Sequence, residues 1–436
     1  MKIIIKINAF IKKQITDVNT YGIRELFRKF YLLIKFLAVI LMDIIAIVPC
    51  LIIRLISPWL IIRIDRIPAG NFGDFVWQTG LYYCKKKLNI NTPTKKYLDL
   101  VYIHYKEKVY NKQIAKMWKR KLNLLPGYLL DPIRRVNTLI PGWKKHIIEN
   151  LSTTQRDINN LFEKCQVLDF TNEEEIYGKK ILNKFGLKDK DKFVCLAVRD
   201  GAYQLKKIPA RYRNWAYHDH RHTDIDKFML AAEELAKRGY FVFRMGVVVD
   251  KPFNSKNSKI IDYANSNLRS DFMDVYLGAK CSFCISTGFG FEDLPCIFRK
   301  PLVQLLQPLG WAYTHNEKYL LMTKHHVLKK EKRRLTLSEI FSHGVGYVND
   351  SKIYEQKGIE LIDYTSDEIK DIVLEMVESL ESKKKSNPED AELQKTFKNL
   401  FASSIRRYPH AEQAYHGEIR SRFSTRFLRE NINWLK

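Results

Sequence analysis

The 436-residue chain carries 74 Lys and Arg against 48 Asp and Glu, a formal charge of +26, with 46% hydrophobic and 12% aromatic residues. That length allows two or more domains and that apolar content can fill their cores, so wholesale disorder is excluded. The charge favours an anionic membrane surface or a polyanionic substrate, and without a recognisable nucleic-acid module or aromatic-basic signature, nucleic acid is not an expected partner.

Seven cysteines stand singly at Cys50, Cys84, Cys165, Cys195, Cys281, Cys284 and Cys296. An odd, scattered set fits a reducing compartment. Cys281 and Cys284 have metal-pair spacing, but "KCSFCIST" reads as a buried strand and no second pair completes a zinc site, so no metal is expected.

Residues 1–35 are rich in Lys and Arg, and the run from Phe36 to Ile53 is apolar except for Asp43 and Pro49. As a helix that run reaches about 27 Å, against a hydrocarbon core of roughly 30 Å. It starts too far along and lacks the small-residue cleavage site of a signal peptide. Asp43 is costly at mid-bilayer and Pro49 kinks a helix. Residues 1–62 therefore read as a membrane-associating segment, monotopic or bent back at Pro49, rather than a plain spanning helix. That arrangement keeps the rest of the chain on the cytoplasmic face of the inner membrane, against anionic lipids. The competing reading is a buried core helix.

Next, "WLIIRIDRI" reads as a strand, "PAGNFGD" as a glycine turn and "DFVWQTGLYYCKKK" as a helix, the opening of a Rossmann-like unit. "KYLDLVYIHY" and "NKQIAKMWKRKL" continue it to about residue 170. Thr171 opens a capping box, "TNEE", on a helix to about Phe185. Strands "FVCLAV", "YFVFRMG", "KIIDYA", "CSFCIST" and "PLVQLL" then alternate with helices "DIDKFMLAAEELAKRG", "SDFMDVYLGAK" and "FEDLPCIF", the rhythm of a doubly wound parallel sheet. The expected fold is α/β with two Rossmann-like domains, 63–170 and 171–385, followed by a linker and terminal helices over 386–436. The last helix, "IRSRFSTRFLRENINWL", carries an apolar stripe able to pack on the body or on a membrane.

Ligands of open parallel sheets bind beyond the carboxyl ends of the strands. Candidate site residues there are the turn Gly70, Asn71 and Gly73 with Asp74 as a general base, and Arg199, Arg221 and Arg244 as forks for diphosphate oxygens. Ser286, Thr287 and Gly288 offer a phosphate-binding turn ahead of a helix, and Glu292 an acceptor for sugar hydroxyls. Asp224 reads as an N-cap with Asp226 beside the helix dipole. His218, His220 and His222 alternate in an extended loop, with His220 the one placed to meet a ligand.

The run "RDGAY…YHDHRHTDIDKFMLAAEELAKRGYFVFRMG…DYANSNLRSDFMDVYLGAKCSFCISTGFG", continued in order through "LTLSEI" to "SRFSTRFLRENINWL", resembles a family of bacterial glycosyltransferases implicated in surface-polysaccharide assembly. The resemblance covers most of the chain and implies a two-domain GT-B-like enzyme using a nucleotide sugar, without a further cofactor, and a lipid-linked or glycan acceptor. His220-Arg221-His222 is also similar to the His-x-Arg motif of fucosyltransferase-like enzymes, where the arginine meets the donor diphosphate. The chain departs from the family at its opening turn: a compact Arg-Ile-Gly-His is replaced by Arg66-Ile67-Pro68-Ala69-Gly70-Asn71-Phe72-Gly73-Asp74. This "GNFGD" is similar to the Gly-Asp turn of heptosyltransferase-like enzymes and to the turn of polysaccharide pyruvyl transferases. Pyruvyl transfer from phosphoenolpyruvate is accordingly the alternative activity, and a non-enzymatic basic membrane protein binding anionic polymer the alternative outside catalysis.

Overall fold

The computed structural model describes residues 22–149, 151, 155–207, 216–381, 387–405 and 416–436. Most of the expected basic stretch and the Lys-rich linker at 382–386 lie outside the described residues. The chain is α/β with parallel sheets and a long apolar helix before them, as its pattern predicts, and it packs as two compact units.

The first unit comprises residues 22–67, Pro93–Glu107 and Leu122–Glu149. Strands β1 (Ile61–Arg66), β2 (Tyr97–Ile103) and β3 (Leu124–Pro126) form a parallel sheet in the order β1-β2-β3. Arg63 and Asp99 are register partners on β1 and β2, and their buried side chains make a bidentate pair at 2.7 and 2.9 Å. Ile53, Ile64, Tyr102 and Leu130 make a small core beneath the helix Gly127–Asn137.

The apolar helix runs without a break from Ile23 to Ile56, 34 residues or about 51 Å. The expected bend at Pro49 is absent. Proline removes one intrahelical hydrogen bond, but the helix is held on both sides of it. Ala46 and Cys50 pack on Val136, Ile133 and Ile140. Asp43 accepts from Arg135 at 2.6 Å, and Arg54 donates to Asn137 Oδ1 at 2.5 Å and to Gly142 O at 3.1 Å. A buried core helix is also not what forms, since only 17% of its most apolar window is buried.

The second unit holds Pro68–Thr92, Lys108–Lys121 and the described residues from 151 onward. The expected 63–170 segment is thus shared: its three strands lie in the first unit, its helices Phe72–Lys87 and Lys112–Lys121 in the second. Strands β4 (Phe193–Ala197), β5 (Phe241–Arg244), β6 (Ile260–Ile261), β7 (Phe283–Ser286), β8 (Leu302–Leu305) and β9 (Tyr319–Met322) come after them in the chain. Three more, β10 (His325–Leu328), β11 (Arg333–Arg334) and β12 (Ile359–Ile362), form a small antiparallel sheet, and β13 is Arg422–Phe423. The main sheet is parallel throughout, in the order β13-β9-β8-β7-β4-β5-β6. Chain order therefore reverses between β4 and β7, the position at which open parallel sheets bind ligands.

The Thr171 capping box is present with both reciprocal bonds, and Asp224 caps as expected by accepting from Asp226 N at 3.1 Å. The expected terminal helix is instead β13, a short helix Thr425–Glu430 and a final turn. Pairing of Arg422 and Phe423 with the edge strand β9 interrupts it, and Ser424 caps the short helix. Its apolar stripe packs on the body: Phe423, Phe427, Leu428 and Trp434 belong to the main core.

His326 and His416 are buried in this unit at 2% and 3% exposure, and burial holds each neutral down to about 3. Unfolded histidines take up a proton near pH 6.5, so stability is complete above that pH and falls as pH drops toward 3. Each contributes a slope of about 1.4 kcal/mol per pH unit. His416→Gln is expected to flatten the fall of Tm between pH 6.5 and 4.5, measured by calorimetry; parallel curves for variant and wild type would contradict this.

Candidate functional site

The reversal point is closed by hydrogen bonds between the ends of its two strands. Ala197 and Ser286 are register partners on β4 and β7. Just past them, Arg199 N donates to Thr287 Oγ1 at 2.7 Å and Thr287 N to Ala197 O at 3.1 Å. Gly288 adopts a φ of +84°, where a side chain would be strained and its Cβ would run into Leu306. Its carbonyl accepts from Arg221 Nη2 at 2.7 Å.

Arg199 and Arg221 meet at this turn, each half-buried with its Nε out of water and without a hydrogen-bond partner. Among the described residues neither has a carboxylate within 4.0 Å. Burial, and then the charge of Arg221, bring Arg199 down to about 9. Burial likewise lowers Arg221, opposed first by Glu292. His218 and His220 lie on a 3-10 turn, Ala216–Arg221, rather than the extended loop expected. Burial and the neighbouring Arg221 hold them neutral, at about 4 and about 3. His220 Nδ1 lies 3.1 Å from both Ser351 Oγ and Tyr217 O, and its Nε2 has no partner. Uncharged imidazoles thus accompany two cations, each with its Nε unpartnered.

Beside this cluster a cavity of about 410 Å³ opens in the same unit, lined by the turn Gly70–Gly73, Arg199, the segment Met245–Val249 and the segment Phe289–Phe291. Gly73 and Gly290 allow the two turns to touch: a Cβ on Gly290 would lie 2.8 Å from Gly73 N and 3.1 Å from its Cα. Phe72 stacks on Phe291 at 6.3 Å and meets Tyr110 edge-on at 5.5 Å. Asp74 stands in the first turn of the helix Phe72–Lys87, accepting from Asn71 Nδ2 at 3.3 Å.

Four predicted residues line this cavity: Gly70, Asn71, Gly73 and Arg199. Others serve the frame. Arg244 is 1% exposed and bonds Asp262 at 3.3 Å, with Asp200 at 3.6 Å, so its fork is spent on carboxylates. Glu292 is buried, accepts from Gln304 Nε2 at 2.8 Å, and burial raises its carboxyl. Ser286 Oγ accepts from Gly288 N at 3.2 Å, and Thr287 Oγ1 is taken by Arg199 N. The hydroxyls of the Ser-Thr-Gly turn thus clasp the ends of β4 and β7, and the next helix begins only at Asp293.

Asp200, in the strand-end stretch Arg199-Asp200-Gly201, also lines the cavity, whereas sequence reading missed Asp274, Tyr110 and Tyr203 on its wall. Asp274 accepts from Tyr263 OH at 2.8 Å and Arg269 Nη1 at 2.9 Å, and burial raises it to about 6. It sits one turn into a helix read from "SDFMDVYLGAK", where only its position flagged it as helical.

The glycine contact can be tested directly. Gly290→Ala pushes a methyl into the backbone of Gly73, which cannot retreat as a flexible side chain would. A loss of about 1–3 kcal/mol is expected from such overpacking, read as a lower urea midpoint; an unchanged midpoint would show that the turns yield.

No protein-family model and no curated protein matches the chain. Among solved structures it is similar to a glycosyl transferase family 9 protein from Veillonella parvula at 12% identity, covering 73% of this chain and 96% of that one, with a TM-score of 0.41. It is also similar to the Escherichia coli ADP-heptose lipopolysaccharide heptosyltransferase II at 15% identity, covering 73% and 98%, with a TM-score of 0.34. Likeness at this level carries no argument about activity, which rests on the site itself.

Proposed function

We propose that the protein is a membrane-associated glycosyltransferase of GT-B type that moves a sugar from a nucleotide-sugar donor to a lipid-linked or polysaccharide acceptor in cell-envelope glycan synthesis. The observation that carries the reading is the pair Arg199 and Arg221. Two half-buried guanidinium groups with no carboxylate within 4.0 Å among the described residues, at the reversal point of a parallel sheet, fit a diphosphate.

In that reading the acceptor hydroxyl oxygen bonds to the anomeric carbon as the bond from that carbon to the diphosphate oxygen breaks. The arginines take up the charge developing on the leaving diphosphate. Asp74 accepts the hydroxyl proton; its neighbour Gly73 lines the cavity, and its charge is felt by Asp293. Asp200 and Asp274 face the cavity as acceptors for sugar hydroxyls, with Tyr110 and Phe72 as ring faces. The apolar helix and its membrane-facing role belong to the same proposal, as does the cytoplasmic placement.

A thermal-shift screen discriminates the activities: UDP, GDP or CMP should raise Tm, and phosphoenolpyruvate alone should not. Arg221→Ala is expected to abolish the nucleotide shift and to lower kcat/KM by about 10²–10³ with the apo Tm retained; a variant with full turnover would sink the donor assignment. Asp74→Asn should cost about 10²–10⁴ in kcat. Because Asp274 is held at about 6, an acid limb near pH 6 in kcat/KM that disappears only in Asp274→Asn would move the base role to Asp274.

A further inference from the structure

A second cavity, of about 480 Å³, lies wholly within the first unit, between the apolar helix and the helix Gly127–Asn137. Its volume falls within the roughly 300–1,000 Å³ of small-molecule sites. Ala38, Val39 and Met42 form an apolar wall, and Lys35, Lys106 and Arg135 bring three cations to it. Arg135 is committed to Asp43 and Asp131. Lys35 and Lys106 have no carboxylate partner among the described residues. Lys35 Nζ lies 4.2 Å from the Tyr31 ring and Lys106 Nζ 5.3 Å from the Tyr105 ring. Tyr105 and Tyr128 add hydroxyls at the rim, at 48% and 56% exposure.

A half-apolar, half-cationic cavity needs a ligand of the same division. Beside it the helix presents Phe36, Leu37 and Leu41 to the outside at 61%, 55% and 58% exposure, far beyond what a water-facing helix carries. A soluble anion would use the lysines and leave the wall of Ala38, Val39 and Met42 in water. An uncharged lipid would do the reverse, leaving the ammonium groups desolvated without compensation.

We propose that this cavity binds the diphosphate head of a lipid-linked acceptor, with Lys35 and Lys106 on the phosphate oxygens and the hydrocarbon tail leaving along the exposed face of the apolar helix. The inference rests on the glycosyl-transfer reading for the identity of the lipid as acceptor, and on the cavity alone for its chemistry.

The test uses the full chain in detergent with four probes: farnesyl diphosphate, inorganic diphosphate, farnesol and UDP. Farnesyl diphosphate should bind more tightly than inorganic diphosphate or farnesol, and Lys35→Ala/Lys106→Ala should weaken it by about tenfold or more while leaving UDP affinity intact. Arg199→Ala/Arg221→Ala should do the opposite. Unchanged farnesyl diphosphate affinity in the lysine variant overturns the proposal, as does equal affinity for inorganic diphosphate or for farnesol. Lysine-dependent farnesyl diphosphate binding in a protein that binds no nucleotide would support the cavity and overturn the glycosyl-transfer reading instead.

Discussion

Holding two guanidinium groups beside one another away from water is among the more expensive things a fold can do. Each loses hydration, and each raises the energy of the other. Most proteins offset this with a carboxylate, and this unit has one available close by, in Glu292. Yet Glu292 is turned to Gln304, and Arg244, on the neighbouring strand β5, takes up Asp262 and Asp200 instead. Backbone and hydroxyl groups hold Arg199 and Arg221: the Thr287 clasp across β4 and β7 and the carbonyl of Gly288. The positive φ at Gly288, the close turn of Ser286 onto Gly288 and the neutral histidines all serve to keep that pair in place without neutralising it. On the donor-site proposal an incoming diphosphate supplies the missing charge, and part of the desolvation cost is returned on binding.

The first unit shows the converse arrangement. Its charged groups inside apolar surroundings are paired: Arg63 with Asp99, Arg134 with Asp65, Arg135 with Asp43. The last of these settles what a lone aspartate does in the middle of an apolar helix. Asp43 bonds Arg135 of the helix Gly127–Asn137, so the exposed residues Phe36, Leu37 and Leu41 keep an apolar face free of its charge. Lys35 and Lys106, at the cavity, have no carboxylate within 4.0 Å among the described residues, as is true of Arg199 and Arg221 in the second unit.

Much of this fold is legible in the residues. Continuous apolar runs such as "FVCLA" and "FCIS" become buried central strands, and the capping box at Thr171 forms as its spacing requires. Local chemistry decides those elements. It does not decide the straightness of the helix through Pro49, which depends on contacts made by residues 80 positions and more away. Nor does it separate Arg199 and Arg221 from Arg244: all three end strands or come after them, and only the positions of Asp200 and Asp262 show that one fork is already used. The aromatic and acidic wall of the first cavity was unreadable for the same reason. Tyr110 and Asp274 are far apart in sequence and sit on ordinary helical or loop stretches; only tertiary packing brings them to one surface.

The contact between Gly73 and Gly290 has a kinetic meaning. The turn carrying Asp74, the end of β4 leading to Arg199 and the 3-10 turn carrying Arg221 are parts of the same compact unit, and the first touches the segment after β7 where two backbones meet without side chains between them. Many two-lobed enzymes must swing one half onto the other before base and leaving group stand in reach. On the glycosyl-transfer proposal the two belong here to one compact piece, so assembling them takes no hinge motion, and any slow opening step belongs to admitting the acceptor rather than to building the chemistry.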